Sequence, residues 1–312
     1  MKNLIYITIL TTLLSCSDKQ ENIHIQQNKP YILVLGTAQD AGYPQIACKK
    51  ECCQRVYKNP LHKRLVSSIA IVDPISNDSW IFDATPDLAT QTNILAKHLN
   101  GKNLPDGIFL THGHIGHYTG LMYLGKEAMN AEKMSVYTMP RMKDYLTNNG
   151  PWSQLVTSNN ISLKLMQKDS VIVLNKRISV TPIQVPHRDE FTETVGFIIQ
   201  NEKKKALFIP DIDKWSTWDR NIVDYIKEVD IAILDATFFK NGEIERDMNE
   251  VPHPFVEESM KLFENLSDTD KKKVYFIHFN HTNPLLIDGS EAQRIVTQKG
   301  FNIARTELVI GL

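Results

Sequence analysis

Apolar residues fall along this chain in short runs, rich in β-branched and aromatic types, each closed by a polar residue or a turn signal. Such runs read as strands rather than helices. Tyr31 to Leu35 is the first, ending at Gly36, and a long loop marked by Gly42-Tyr43-Pro44 follows. Residues 65–72 and 79–82 are separated by Pro74-Ile75-Ser76-Asn77-Asp78 and predict a hairpin, with Asp83 at its end. Residues 107–110 follow the breaker Pro105-Asp106 and predict a buried strand, and 136–138 another. In the second half strands are expected at 161–165, 170–174, 178–184, 195–200, 206–209, 231–234 and 274–277. Helical spacing is expected over 86–99, 118–131, 217–226 and 255–266, with a further helix opened by Pro140. Two strand-rich halves, each with helices, predict an α/β fold of two sheets packed face to face with helices outside.

Size and charge narrow the classes. At 312 residues the chain can bury a full-sized core. Net charge is −1 with the signs interspersed, and the lysine runs at 203–205 and 271–273 read as solvated turns, so no nucleic-acid partner is expected. The beginning of the chain is different. Lys2, an apolar stretch from Leu4 to Leu14 and Ser15 before the polar segment 17–29 read as a secretory signal over 1–15, followed by a tether over 16–30. One domain over 31–312 is expected. Cys16 directly after a small residue resembles the lipobox of bacterial lipoproteins, which implies acylation of Cys16, a membrane held through the lipid, and a place in the bacterial cell envelope.

Chemistry gathers at strand ends. Thr111-His112-Gly113-His114-Ile115-Gly116-His117 follows the 107–110 strand directly. The sequence has ten histidines, and three within six positions point to a metal site, the i and i+2 pair leaving an extended backbone on one side. Other strands also hand over to a suitable side chain: His187, Asp211 with Asp213 beyond it, Asp235, and His278 with Asn280 and His281 after it. Neutral imidazoles with a carboxylate make a cation site with open positions. Cys48, Cys52 and Cys53 lie within six residues, an odd number with Cys16 set aside, which disfavours a simple disulfide framework; three thiolates and a histidine would complete a structural zinc site. Arg188, beside His187, is placed either to hold an anionic substrate group or to pair with Asp189 or Glu190.

Asp83, the 111–117 motif, His187, Asp211 and His278, in that order, resemble the metallo-β-lactamase superfamily, which implies an αββα sandwich of two mixed sheets flanked by helices over 31–312. Within it, residues 35–45, 234–239 and 277–284 resemble PQQ-biosynthesis protein B, and the cysteine cluster resembles that of a phosphonate-pathway cyclic phosphodiesterase branch. The resemblance implies His112, His114 and His187 on a first metal, Asp211 bridging, and His117 and His278 on a second; it implies a structural zinc on Cys48, Cys53 and His281, with Cys52 shifted from the family's position. It also carries a departure. The superfamily motif has aspartate where this chain has Gly116, so the second metal is expected to lose its main carboxylate; Asp213 and His253 lie nearby as ligand or proton donor, but each reads more readily as a supporting or loop residue.

The function expected is a metal-dependent hydrolase of a small ester, lactone, amide or phosphodiester acting through metal-bound hydroxide, with Asp211 and His253 as catalytic residues, one or two catalytic zinc ions and one structural zinc. The alternatives are an iron-dependent oxidative enzyme like PQQ-biosynthesis protein B, and a metal-stabilised binding lipoprotein without activity.

Overall fold

A computed structural model describes residues 28–40 and 42–312. The expected signal over 1–15, Cys16 and most of the tether lie outside the described residues. No helix among the described residues is long and apolar enough to cross a membrane.

The first half forms β1 (Tyr31–Gly36), β2 (Ser68–Asp73), β3 (Asp78–Phe82), β4 (Gly107–Phe109), β5 (Met134–Thr138) and β6 (Ile161–Leu165). The second forms β7 (Ile172–Val173), β8 (Ser179–Gln184), β9 (Val195–Gln200), β10 (Lys205–Ile209), β11 (Ile231–Asp235), β12 (Val274–Ile277) and β13 (Asn302–Ile303), and β14 (Val309–Gly311) returns to the first sheet. The sheet orders are β14-β1-β2-β3-β4-β5-β6 and β13-β12-β11-β10-β9-β8-β7. Each sheet is antiparallel at one end and parallel at the other, the change falling at β3 and at β10. The two mixed sheets therefore share one plan although their sequences differ.

Alternation along the strands builds the layers. Ile32 and Val34 of β1, Phe208 of β10 and Ile233 of β11 meet between the sheets, with Phe82, Phe109 and Phe197 among them. Their neighbours Leu33 and Leu35 face outward under α2 (Leu88–Ala96), whose Leu88, Ile94 and Leu95 share their cluster. Leu207, Ile209 and Leu234 face the opposite way, under the helices Ile222–Glu228, Val256–Leu262 and Glu291–Gln298. Both faces of each sheet are buried, the condition under which strands read as continuous apolar runs.

Several expectations shift in detail. The cysteine loop contains α1 (Glu51–Lys58), which carries Cys52 and Cys53. No long helix covers 118–131; a single turn, α3 (Ile115–Tyr118), passes into a 3₁₀ stretch, Thr119–Leu124. Leu121 and Leu124, three apart and both buried, suit the 3₁₀ period, and Gly120 donates its N–H to the Ala84 carbonyl at 2.8 Å in an approach too close for a side chain. The helix expected over 217–226 starts later, at Ile222, where Asn221 accepts the Val223 N–H. The edge strands β13 and β14 are too short to leave a pattern in the sequence.

Candidate metal centre

The chemistry-bearing residues converge at one edge of the sandwich, where β3, β4, β8, β10, β11 and β12 end. Each sheet contributes a carboxylate, a threonine and two histidines in the same arrangement. From the first sheet, Thr111 Oγ1 donates its proton to Asp83, 2.9 Å from either carboxylate oxygen, and lies 2.9 Å from His112 Nδ1. With its own proton spent on Asp83, the hydroxyl accepts the Nδ1 proton of His112. His117 donates Nδ1–H to Asp83 Oδ2 at 2.7 Å. From the second sheet, Thr237 donates to Asp235 Oδ1 at 2.7 Å and accepts from His278 Nδ1 at 2.9 Å. His253 donates Nδ1–H to Asp235 Oδ2 at 2.9 Å. Fixing the Nδ1 proton in this way leaves the Nε2 lone pairs of His112, His117 and His278 free for a cation. Asp83 and His278 hold φ of 72° and 68°, left-handed conformations that non-glycine residues seldom take and that occur where side chains must be aimed.

Three groups of ligand atoms share Asp211; in one of them Asp235 and His253 Nδ1 are already hydrogen-bonded to each other, which leaves two sets open to a cation. In the first set, His112 Nε2 lies 2.9 Å from His114 Nδ1, His114 Nδ1 lies 3.3 Å from His187 Nε2, and Asp211 Oδ2 lies 3.4 Å from His112 and 3.3 Å from His187. A tetrahedron with metal–nitrogen bonds of about 2.0–2.1 Å has edges of about 3.3 Å, so these four atoms fit one zinc-sized ion. In the second set, Asp40 Oδ1 lies 3.0 Å from His117 Nε2 and 3.4 Å from His278 Nε2, and Asp211 Oδ2 lies 3.7 and 4.0 Å from the same nitrogens. His278 Nε2 and Asp211 Oδ1 are buried and find no hydrogen-bond partner among the described residues. Buried polar atoms left without partners mark a place for an ion.

The electrostatics match the geometry. Burial pushes His114 down to about 4, with the neighbouring His187 adding to it, and burial and the adjoining His117 hold His112 well below its ordinary value. Burial alone would raise Asp211, yet His187, His253 and His278 around it hold it well below the carboxylate range. Burial opposes charge on His187 as well, but Asp211 and Asp213 raise it to about 10. The first set thus offers two neutral imidazoles, His112 and His114, and an ionised carboxylate, while His187 carries a proton that a cation would have to displace. Asp213 Oδ1 accepts Nδ1–H of His187 at 3.0 Å, so it orients a ligand rather than replacing the carboxylate missing at Gly116. Arg188 is exposed, and the carboxylates beside it are engaged elsewhere: Asp189 with Arg141 at 3.7 Å, Glu190 facing His114 at 3.8 Å.

A separate group, Cys48, Cys52, Cys53 and His281, also comes together, with all four ligand atoms within 4.8 Å of one another. Cys52 belongs to it despite its shifted position, because α1 turns its thiol towards the other two. The three cysteines form no disulfide. His281 donates Nδ1–H to Asn280 Oδ1 at 3.1 Å, which again frees Nε2.

A family profile described as beta-lactamase superfamily domain matches residues 80–279, more than half of the chain. The chain belongs to the metallo-β-lactamase superfamily. Among its relatives, this superfamily member is 25% identical over 305 residues to coenzyme PQQ synthesis protein B of Methylobacillus flagellatus, covering 88% of this chain and 97% of that one. It is 25% identical over 300 residues to the protein of the same name from Rhizobium meliloti, covering 87% and 94%. Zinc-bound PqqB from Methylobacterium extorquens superposes with a TM-score of 0.76 at 21% identity, covering 90% of this chain and all of that one. A diphosphatase of the PhnP family superposes at 0.63 with 22% identity, covering 91% and 99%. The sandwich expected from the sequence is the fold observed.

One participant escaped the sequence reading. Asp40 lies in the loop after β1, far from any histidine in sequence, and stands with His117, His278 and Asp211 as a second carboxylate where Gly116 had implied the loss of one. The link is backbone: Gln39 N–H donates to the Phe279 carbonyl and Phe279 N–H to the Thr37 carbonyl, both at 2.8 Å, which lays Asp40 beside His278.

Proposed function

We propose that this protein is a metal-dependent hydrolase of a small ester, lactone, amide or phosphodiester, held to the cell envelope by a lipid on Cys16. The observation that carries the reading is the pair of histidine sets meeting on one ionised carboxylate, Asp211. A zinc ion held there would lower the pKa of its water towards neutrality and polarise a carbonyl or phosphoryl oxygen, so that no protein nucleophile is needed. His112, His114 and His187 hold the first cation, and Asp211 ties it to the second set. Asp83 and Asp235, through their threonines, keep the rings aimed. His253 is the proton donor to the leaving group: burial would discharge it, but Asp235 and Asp211 keep its pKa raised. Arg188 receives an anionic part of the substrate at the rim.

The cysteine cluster fits a structural zinc that braces the segment carrying Asp40. Tyr43 already ties that segment to α1, donating its hydroxyl proton to the Cys52 carbonyl at 2.7 Å.

The test is hydrolysis by zinc-loaded protein across the four substrate classes, abolished by His112→Ala. No hydrolysis in any class, or hydrolysis indifferent to His112→Ala, contradicts the reading. Likeness to PQQ synthesis protein B along nearly the whole chain favours a second reading, an iron-dependent oxidative enzyme. Oxygen consumption by iron-loaded protein on an organic substrate, absent with zinc, separates the two.

A further inference from the structure

We propose that Asp40 is the carboxylate ligand of the second metal position, and that Gly116 is glycine because Asp40 occupies the space its side chain would need. The inference rests on the metal-centre reading but not on the reaction assigned to it.

Three observations meet at Asp40. Its Oδ1 lies 3.0 Å from His117 Nε2 and 3.4 Å from His278 Nε2, edge lengths suited to ligands of one ion. His278 Nε2, fully buried and aimed at this point, forms no hydrogen bond among the described residues. A Cβ built on Gly116 would come 2.5 Å from Asp40 Cα and 2.7 Å from both Cβ and Oδ1 of Asp40. The contact with Asp40 Cα is with backbone and cannot be relieved by turning a side chain. Positions 40 and 116 therefore compete for one volume, and one carboxylate fills it whichever position supplies it.

The Asp40 side chain is 21% exposed and its carboxyl lies well below the usual range: burial opposes the charge, and the hydrogen bond from His117 with the nearby His117 and His278 rings outweighs it. The neighbouring carboxylates among the described residues are engaged in other hydrogen bonds. Asp83 is committed to His117 Nδ1 and Thr111, Asp235 to Thr237 and His253, and Asp213 to His187. Asp211 alone could not serve the second position well, because its Oδ2 lies 3.7 and 4.0 Å from the two imidazoles and is nearer those of the first set. A second ion without Asp40 would be held by two imidazoles and a shared oxygen. With it, the donor set is two imidazoles, one shared carboxylate and one of its own, which suits zinc or another borderline divalent ion.

Gly116→Ala supplies the discriminating experiment, since it removes no ligand. Its Cβ must push the Asp40 backbone outward and carry the carboxylate away from His117 and His278. The full chain is equilibrated in buffered zinc, desalted, and its zinc measured by elemental analysis beside circular dichroism and melting temperature. Wild-type protein is expected to hold about three zinc equivalents, one structural and two catalytic. Asp40→Ala, Asp40→Asn and Gly116→Ala should each hold about two, with second-site affinity weakened more than about 100-fold and the melting transition retained. Gly116→Asp should gain no zinc, because the new side chain displaces the ligand already present. Full retention of zinc by Asp40→Ala overturns the proposal, as does a wild-type protein with a single catalytic zinc or a gain by Gly116→Asp. Elemental counts are indifferent to whether any ester or phosphodiester is hydrolysed, so they fail or succeed separately from the assigned reaction.

Discussion

Thr111 Oγ1 stands 2.9 Å from Nδ1 of His112 while donating its own proton to Asp83. Thr237 repeats the relation with His278 and Asp235 in the other sheet. Each hydroxyl therefore decides which nitrogen of its histidine carries a proton. Thr111→Val and Thr237→Val keep the shape and remove that control. Each should weaken catalytic zinc binding by about 10–100-fold, measured by competition with a chromogenic chelator, with little change in melting temperature.

Asp211 is the one side chain common to both sets of ligand atoms. Asp211→Asn should lower the catalytic zinc content at both positions while the cysteine cluster keeps its ion. Elemental analysis combined with thiol titration distinguishes the two kinds of site.

The cysteine cluster should act on stability. Burial pushes the Cys53 thiol up to about 12, so without a cation it stays protonated, and a bound zinc would take it as thiolate. Cys53→Ser should lose the structural zinc and lower the melting temperature, and a strong chelator should bring wild-type protein towards the same value. Equal melting temperatures for wild type and variant in excess zinc would rule out a structural ion there.

His98 gives a pH signature away from the metal centre. Its Nδ1 lies 3.1 Å from the Tyr31 hydroxyl, and burial holds its pKa below the ordinary 6.5. In the unfolded chain it takes a proton near 6.5, and in the folded protein only at lower pH. The unfolded state binds more protons across that window, so stability rises with pH there and is lost as pH falls through the folded value. His98→Gln should flatten the fall in melting temperature between about pH 7 and about pH 5 relative to wild type.

His253 faces Asp211 and Asp235, whose charges keep its pKa raised against burial. As proton donor it supports turnover below its pKa, and activity should decline as pH rises through that value. His253→Gln should lower kcat by about 10²–10⁴-fold and remove this alkaline limb without changing zinc content. An unchanged pH profile in the variant would place the proton donor elsewhere.

What could be read from the sequence follows how local each signal is. His112, His187, Asp211 and His278 were visible because each directly follows an apolar strand, and a polar residue closing such a run announces a sheet edge. The two-sheet sandwich followed from the strand-rich halves, whereas the shared change from antiparallel to parallel pairing rests on contacts between strands and left no local mark. Asp40 carried no such mark: it sits in a loop and reaches the centre only because the backbone at Gln39 pairs with Phe279, more than two hundred residues away in sequence. The 3₁₀ stretch Thr119–Leu124 was hidden for a related reason, since it exists to let Gly120 approach the Ala84 carbonyl. Gly116 looked like the loss of a ligand because its neighbour in space was not its neighbour in sequence.

The most direct test of the dinuclear centre is anomalous scattering from crystals of the zinc-loaded protein. Two peaks are expected about 3.5–4 Å apart, joined by Asp211, one ringed by His112, His114 and His187 and the other by Asp40, His117 and His278. A single peak at this edge of the sandwich, or zinc held outside these two sets, would contradict it.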